Sequence, residues 1–150
     1  MKKRTFGFVL IGIAGVYALI YHDVLSRSKA SYLEAEKYME WDRNPEKKKE
    51  YFDRQFEKEK AGLDSDLHNK KISPEEFKEK LEVFEFDRNF WRDESSLKYA
   101  YQWYKDTYEL FSPPESKWVK LARIKAPEAL NLWKQELREK KIPFQDTMVE

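Results

Sequence analysis

The sequence predicts an all-α protein with a single N-terminal transmembrane helix followed by a small, mostly helical extramembrane region. Residues 6–21 carry no charge and follow Lys2, Lys3 and Arg4 directly. In the rest of the chain, apolar and aromatic residues recur at spacings of three and four, which is typical of amphipathic helices. No run of alternating β-branched residues indicates a strand.

The uncharged segment is long enough to be a membrane anchor. Sixteen residues of α-helix rise about 24 Å, against a hydrocarbon core of about 30 Å, and Tyr17 and Tyr21 are suited to the headgroup level. The alternative is a secretory signal peptide, but the small residues that a cleavage site needs appear only beyond His22 and Asp23. We therefore expect residues 1–22 to form an uncleaved anchor in the lipid bilayer.

Small residues within this segment indicate a face for packing against another membrane helix. In lipid, small side chains let two helices approach closely. The alternative, that glycine is simply common in membrane helices, remains open. The residues predicted for membrane helix packing are Gly12, Ala14, Gly15 and Ala18.

The distribution of charge predicts the topology and excludes one class of partner. The N-terminal arm is basic, whereas the chain after residue 21 carries 26 Lys+Arg against 28 Asp+Glu. The positive-inside rule then places the N-terminus in the matrix or cytoplasm, and the C-terminal region in the intermembrane space or periplasm. A nearly neutral extramembrane region offers no basic face for nucleic acid.

Local signals divide the extramembrane region into four parts. Asn44 and Pro45 are typical of a helix start, Gly62 of a helix end, and Ser73, followed by Pro74 and Glu76, of a capped helix start. The predicted parts are a charged helical stalk and helix (23–61), a polar connection (62–73), a small helical domain (74–141) and an extended tail (142–150).

The small domain is predicted to contain helices 74–92, 94–111, 115–125 and 127–140, with the first two packed antiparallel as its core. Aromatic residues cover two sides of helix 94–111, which is more apolar surface than a small bundle can bury. Large aromatics are the usual anchors of interfaces, so we expect part of this set to contact a partner. The alternative is that the last two helices bury them. The residues are Tyr101, Trp103, Tyr104 and Tyr108.

No residue pattern supports catalysis, a cofactor or a metal. The chain has no cysteine, and its only histidines are His22, at the predicted membrane edge, and His68, in a polar stretch. Residues 64–77 resemble the calcium loop of EF-hand proteins, but in neither register do the oxygen ligands and the glycine fall at the required positions. Glycine-rich phosphate loops are also missing. We therefore expect neither an enzyme nor a small-molecule substrate.

These observations lead us to expect a non-catalytic accessory subunit of a multi-subunit membrane complex. A respiratory or ATP synthase complex of the mitochondrial inner membrane is the first expectation, with other subunits and the lipid bilayer as partners. The alternative is a bacterial inner-membrane-anchored periplasmic binding or scaffold protein.

Overall fold

The computed structural model describes the backbone of residues 2–149 and the side chains of residues 12–147 and 149. The protein is all-α, and no β-strand occurs in this part of the chain. The helices are α1 (Lys2–Arg43), α2 (Pro45–His68), α3 (Pro74–Asp93), α4 (Ser96–Leu110), α5 (Lys117–Glu139) and the short α6 (Asp146–Val149).

The chain forms two compact units. The first contains the described residues up to Met39 together with those from Leu97 onward, and the second contains Glu40–Ser96. These units cut across the predicted 74–141 domain, because α3 belongs to one and α4 and α5 belong to the other. The core residues of α4 lie with those of α1 and α5, and the packing of α3 against α4 stays a prediction.

The first unit is built around close contacts between α1, α4 and α5. Large side chains fill the centre, with Tyr104 fully buried and Tyr32 and Met39 beside it. Small side chains line the contacts and let the helices approach closely. They are Ala35 on α1, Ala100 on α4, and Ala122, Ala126 and Ala129 on α5, all at most 2% exposed.

The second unit is a hairpin in which α2 packs against α3. Phe56 and Leu63 of α2 are buried, as is Trp41, whose ring lies 5.5 Å from that of Phe52. Helix α3 begins with the predicted capping box, because the Ser73 hydroxyl accepts from the Glu76 backbone and the Glu76 carboxylate accepts from the Ser73 backbone. None of its own residues is fully buried.

Helix α2 does not end at Gly62 as predicted. It continues to His68, so the polar connection is shortened to the few residues before α3. Leu63 explains the continuation, since its burial requires another helical turn, whereas a glycine in a helix interior costs only about 1 kcal/mol.

Pro127 does not divide the last helical region in two. Helix α5 runs without a break from Lys117 to Glu139 with Pro127 inside it. A proline inside a helix costs about 3 kcal/mol, but Ala122 and Ala126 before it and Ala129 after it are buried in one core, which favours a single helix. The predicted extended tail likewise contains α6, and Asp146 pairs with Lys134 at 2.8 Å.

The predicted membrane anchor lies at the start of α1. Its residues 6–11 fall outside the described side chains. Among the residues that the structure describes, no helix contains a stretch both long enough and apolar enough to cross a membrane.

Candidate interaction surface

The structure places the four predicted interface aromatics in or against the core of the first unit. Tyr101 and Tyr104 are buried, and the Tyr101 ring lies 6.2 Å from that of Trp133. Trp103 and Tyr108 are half-buried and pack against the same core. Tyr101 and Tyr104 are therefore core residues of this chain, which leaves only the outer edges of Trp103 and Tyr108 for a partner.

A shared carboxylate joins α1 to α4 at the centre of this unit. The phenol of Tyr32 donates a hydrogen bond to Glu36 Oε1 at 2.7 Å, and the phenol of Tyr104 donates to the same oxygen at 2.6 Å. Burial, followed by the bond to Glu36 and its negative charge, raises the pKa of Tyr32 to about 12 and also raises the pKa of Tyr104. Both phenols donate to one carboxylate, so the arrangement links α1 to α4.

Buried hydroxyl groups make a second set of bonds, which join α1 to α4 and to the start of α5. Thr107 Oγ1 donates to Ser31 Oγ at 2.7 Å, and Ser28 and Ser116 share a bond of 3.1 Å. Ser116 also caps α5 by accepting from the backbone N–H of Val119. Among the described side chains, every buried polar atom has a hydrogen-bond partner. These groups are engaged in holding the helices together.

The described part of the apolar segment has no cover from the rest of the chain. Large side chains on α1 are strongly exposed, with Tyr17 at 74% and Leu19 at 73%, and Ile13, Val16 and Ile20 are more than half exposed. The predicted packing residues Gly12, Ala14, Gly15 and Ala18 are exposed as well. A Cβ atom added at Gly12 or Gly15 would meet no atom within 4 Å. The other described residues therefore leave this apolar part of α1 uncovered.

A further exposed surface on α3 escaped the sequence analysis. Val83, Phe86 and Phe90 widen the apolar face of α3 in the sequence, but the structure leaves all three exposed, with Phe86 at 67%. Their spacing of three and four places them on one face, away from Phe77 and Leu81, which are half-buried. The spacing of these three residues was visible in the sequence, but spacing alone does not tell which apolar face another helix covers.

The residues considered for metal binding are not brought together. Asp64 and Asp66 lie on α2 rather than in a loop, and Asp66 pairs with Lys71 at 3.0 Å. Across the described residues, no three His, Cys, Asp or Glu side chains are grouped closely enough to hold a metal ion.

No protein-family model, curated protein or solved structure matches this chain.

Proposed function

We propose that this chain is a non-catalytic accessory subunit of a multi-subunit membrane complex, held in the membrane by residues 6–21. The mitochondrial inner membrane, with its respiratory and ATP synthase complexes, is the proposed location. The observation that carries the proposal is the uncovered apolar surface between Ile13 and Ile20 on a helix that continues without a break into the folded core.

Lipid is the cover that best fits this surface. Residues 12–21 carry no charge on any side of the helix, whereas a helix at a protein surface normally has one polar face. Each strongly apolar residue of the segment favours insertion by roughly 0.3–0.6 kcal/mol. Charged residues resume at Asp23, which pairs with Arg27 at 2.8 Å, as expected just outside the hydrocarbon.

The proposed role is structural because the polar groups of the first unit connect helices. Glu36, Tyr32 and Tyr104 form one such connection, and Ser31 with Thr107 forms another. A subunit of this kind contributes a rigid helical surface to its complex, together with an anchor that fixes its position.

The anchor is tested by placing a charge within it. A lysine at the centre of a membrane helix costs roughly 2.5–3.5 kcal/mol, so Ile13→Lys should shift the full-length chain from the alkali-resistant membrane fraction to the supernatant. Leu33→Lys is the matched control, because Leu33 is also an exposed residue of α1 but lies beyond the segment. Release of the unaltered chain by alkali would overturn the anchor.

The topology and the subunit role need separate measurements. With Lys2, Lys3 and Arg4 inside, protease added to the outer face of the inner membrane should remove a C-terminal tag. Mild detergent extraction followed by native gels and mass spectrometry should show the chain co-migrating with a defined complex. Migration of the chain alone or only with itself would support the bacterial scaffold alternative instead.

A further inference from the structure

Helix α4 runs towards the apolar segment of α1. Its Tyr104 bonds to Glu36 of α1, and Thr107, about one turn later, bonds to Ser31, so the two helices are antiparallel. Helix α4 ends at Leu110, three residues after Thr107. Its C-terminal end therefore points towards the proposed membrane anchor.

The α4–α5 turn, residues 111–116, lies close to the end of the apolar segment. Ser116, the last residue of this turn, shares a bond of 3.1 Å with Ser28 on α1. Ser28 follows Tyr21, the last residue of the apolar segment, by seven residues, which rise about 10 Å in a helix. The hydrogen bond thus holds the turn at a fixed, short height above that segment.

The burial pattern of α1 shows how far down the first unit reaches. Among the described side chains of α1, Val24 and Leu25 are the first that are half-buried, whereas those before them are exposed. Leu25 lies about 6 Å beyond Tyr21 along the helix. The headgroup layer of a bilayer extends about 5–7 Å beyond each side of the hydrocarbon core. Cover of α1 by the rest of the unit therefore begins at the height of the headgroups.

This end of the unit presents apolar side chains without a cover. Leu110 is 70% exposed, and Pro113 in the turn is exposed as well. A single exposed leucine is ordinary on a surface that faces water. What distinguishes Leu110 is its place at the end of the unit that lies beside the apolar segment.

Trp118 and two lysines flank the turn. Trp118 is half-buried in the first turn of α5, and its ring centroid lies 5.8 Å from Lys29 Nζ and 4.4 Å from Lys117 Nζ. Tryptophan is enriched at the boundary between membrane and water. A lysine can lay its apolar stem along lipid while its ammonium group stays in water. This combination is typical of a surface in the headgroup layer.

The acidic side chains near the turn are compatible with an uncharged bilayer. Asp23 pairs with Arg27 at 2.8 Å, and Glu115 pairs with Arg123. Glu109, next to Leu110, is exposed to solvent. Because acids and bases are mixed here, the apolar side chains and their height, and not the sign of the charge, favour lipid.

We propose that the α4–α5 turn and Leu110 lie in the headgroup layer of the bilayer that holds residues 6–21. Leu110 points its side chain to the apolar boundary, and Lys29 and Lys117 lie among the headgroups. This second lipid contact rests on the proposed anchor. It places the first unit directly against the membrane, in contrast to a domain held away from it on a stalk.

Single cysteines test this contact, because the chain has none of its own. Full-length chains with Leu110→Cys or Leu19→Cys, each carrying an environment-sensitive fluorophore, are reconstituted into vesicles of uncharged phosphatidylcholine. Leu19 lies in the anchor and reports on it separately. Lys117→Cys, at a second exposed position beside the turn, repeats the measurement made at Leu110.

Ile124→Cys is the matched control. Ile124 is apolar and 71% exposed, much like Leu110. Helix α5 runs in the same direction as α1, because Ser116 meets Ser28 and the ring of Trp118 lies 5.4 Å from that of Tyr32. Ile124 comes eight residues after Ser116, so it lies about 12 Å farther from the membrane.

We expect nitroxides on lipid headgroups to quench the labels at 110 and 117 severalfold more than the label at 124. Iodide in the water should quench in the reverse order. Each labelled chain must melt like the parent chain to be compared. Equal lipid quenching at 110, 117 and 124 would overturn the contact.

The label at 19 separates this contact from the anchor. Lipid quenching at 19 without quenching at 110 and 117 would overturn the second contact and leave the anchor intact. Lipid quenching at 110 and 117 without quenching at 19 would overturn the anchor while supporting a lipid contact at the turn.

Discussion

At the scale of single residues, Glu36 connects two helices of the first unit. Its Oε1 accepts from the phenols of Tyr32 and Tyr104, whose rings also lie 5.6 Å apart. Hydrogen bonds to a charged acceptor contribute about 1.5–3 kcal/mol, roughly twice the value for neutral pairs. One carboxylate thus connects α1 with α4 through two such bonds and keeps both phenols in their protonated form.

We predict that replacing Glu36 changes both stability and tyrosine titration. Burial, the largest cause of the raised pKa of Tyr32, stays in Glu36→Gln, but the negative charge of Glu36 is lost, so this pKa should fall below about 12 and remain above its ordinary value of 10.0. The free energy of unfolding should drop by about 1–3 kcal/mol at neutral pH. Ultraviolet absorbance of tyrosinate during alkaline titration measures the first effect, and denaturant unfolding measures the second.

The raised pKa of Tyr32 also predicts how the free energy of unfolding changes with pH. When the pKa of a group is higher in the folded protein than in the unfolded chain, the group stabilises the fold fully at pH values below its unfolded-state pKa. This contribution is lost as the pH rises from the unfolded-state pKa through the folded-state pKa. For Tyr32 the loss therefore runs from about pH 10 to about pH 12, and it should be shallower in Glu36→Gln. Glu34→Gln is the control, because Glu34 pairs with Lys37 and not with a tyrosine. Superimposable titrations of Glu36→Gln and the parent chain would contradict the assignment.

At the scale of elements, α1 continues past the apolar segment as a core helix. Its residues Ser28, Ser31 and Ala35 are buried against α4 and α5, so the stretch predicted as a stalk is part of a packed unit. The sequence shows its apolar spacing, but spacing does not tell which helix will cover it. For the same reason, the sequence does not show that the helices continue through Gly62 and Pro127. Both residues disfavour a helix, but burial of Leu63 and Ala129 outweighs this effect.

We predict that the close approach of α1 to its neighbours tolerates no larger side chain at Ala35. Ala35→Leu adds volume at a fully buried position and should destabilise the chain by about 1–3 kcal/mol. Ala30→Leu makes the same change at an exposed position of the same helix and should leave stability within about 0.5 kcal/mol. Thermal or denaturant unfolding of both variants provides the comparison, and equal effects would show that the contact can expand.

At the scale of the whole molecule, the two compact units differ in how much of their surface is buried. The first has a core of large aromatics and small alanines, whereas α3 in the second contributes no fully buried residue. The helical class, the capping box at Ser73 and the start at Pro45 could be predicted, because they depend on local spacing and local hydrogen bonds. The pairing of helices could not, because it depends on contacts between residues far apart in the sequence, such as Glu36 with Tyr104.

We predict that hydrogen exchange distinguishes the two units. Amides in a helix with few buried contacts open at lower free energy than amides in a core. Exchange in α3 should therefore be faster than in α4 by at least about tenfold, which corresponds to about 1.4 kcal/mol. Mass spectrometry of peptides from the full-length chain measures both helices in one sample. Equal protection of α3 and α4 would mean that the whole chain opens as a single cooperative body.

Because α1 is one continuous helix, the angle around its axis between a face near its start and a face near its end is fixed. At about 100° per residue, the face of α1 that carries Gly12 and Gly15 points almost opposite to the face that carries Ser28 and Ala35. A helix seated on those glycines would thus lie on the other side of α1 from α4 and α5, and neither contact would obstruct the other. Inserting one residue between Tyr21 and Ser28 would turn the glycine face by about 100°, whereas inserting seven would turn it by only about 20°.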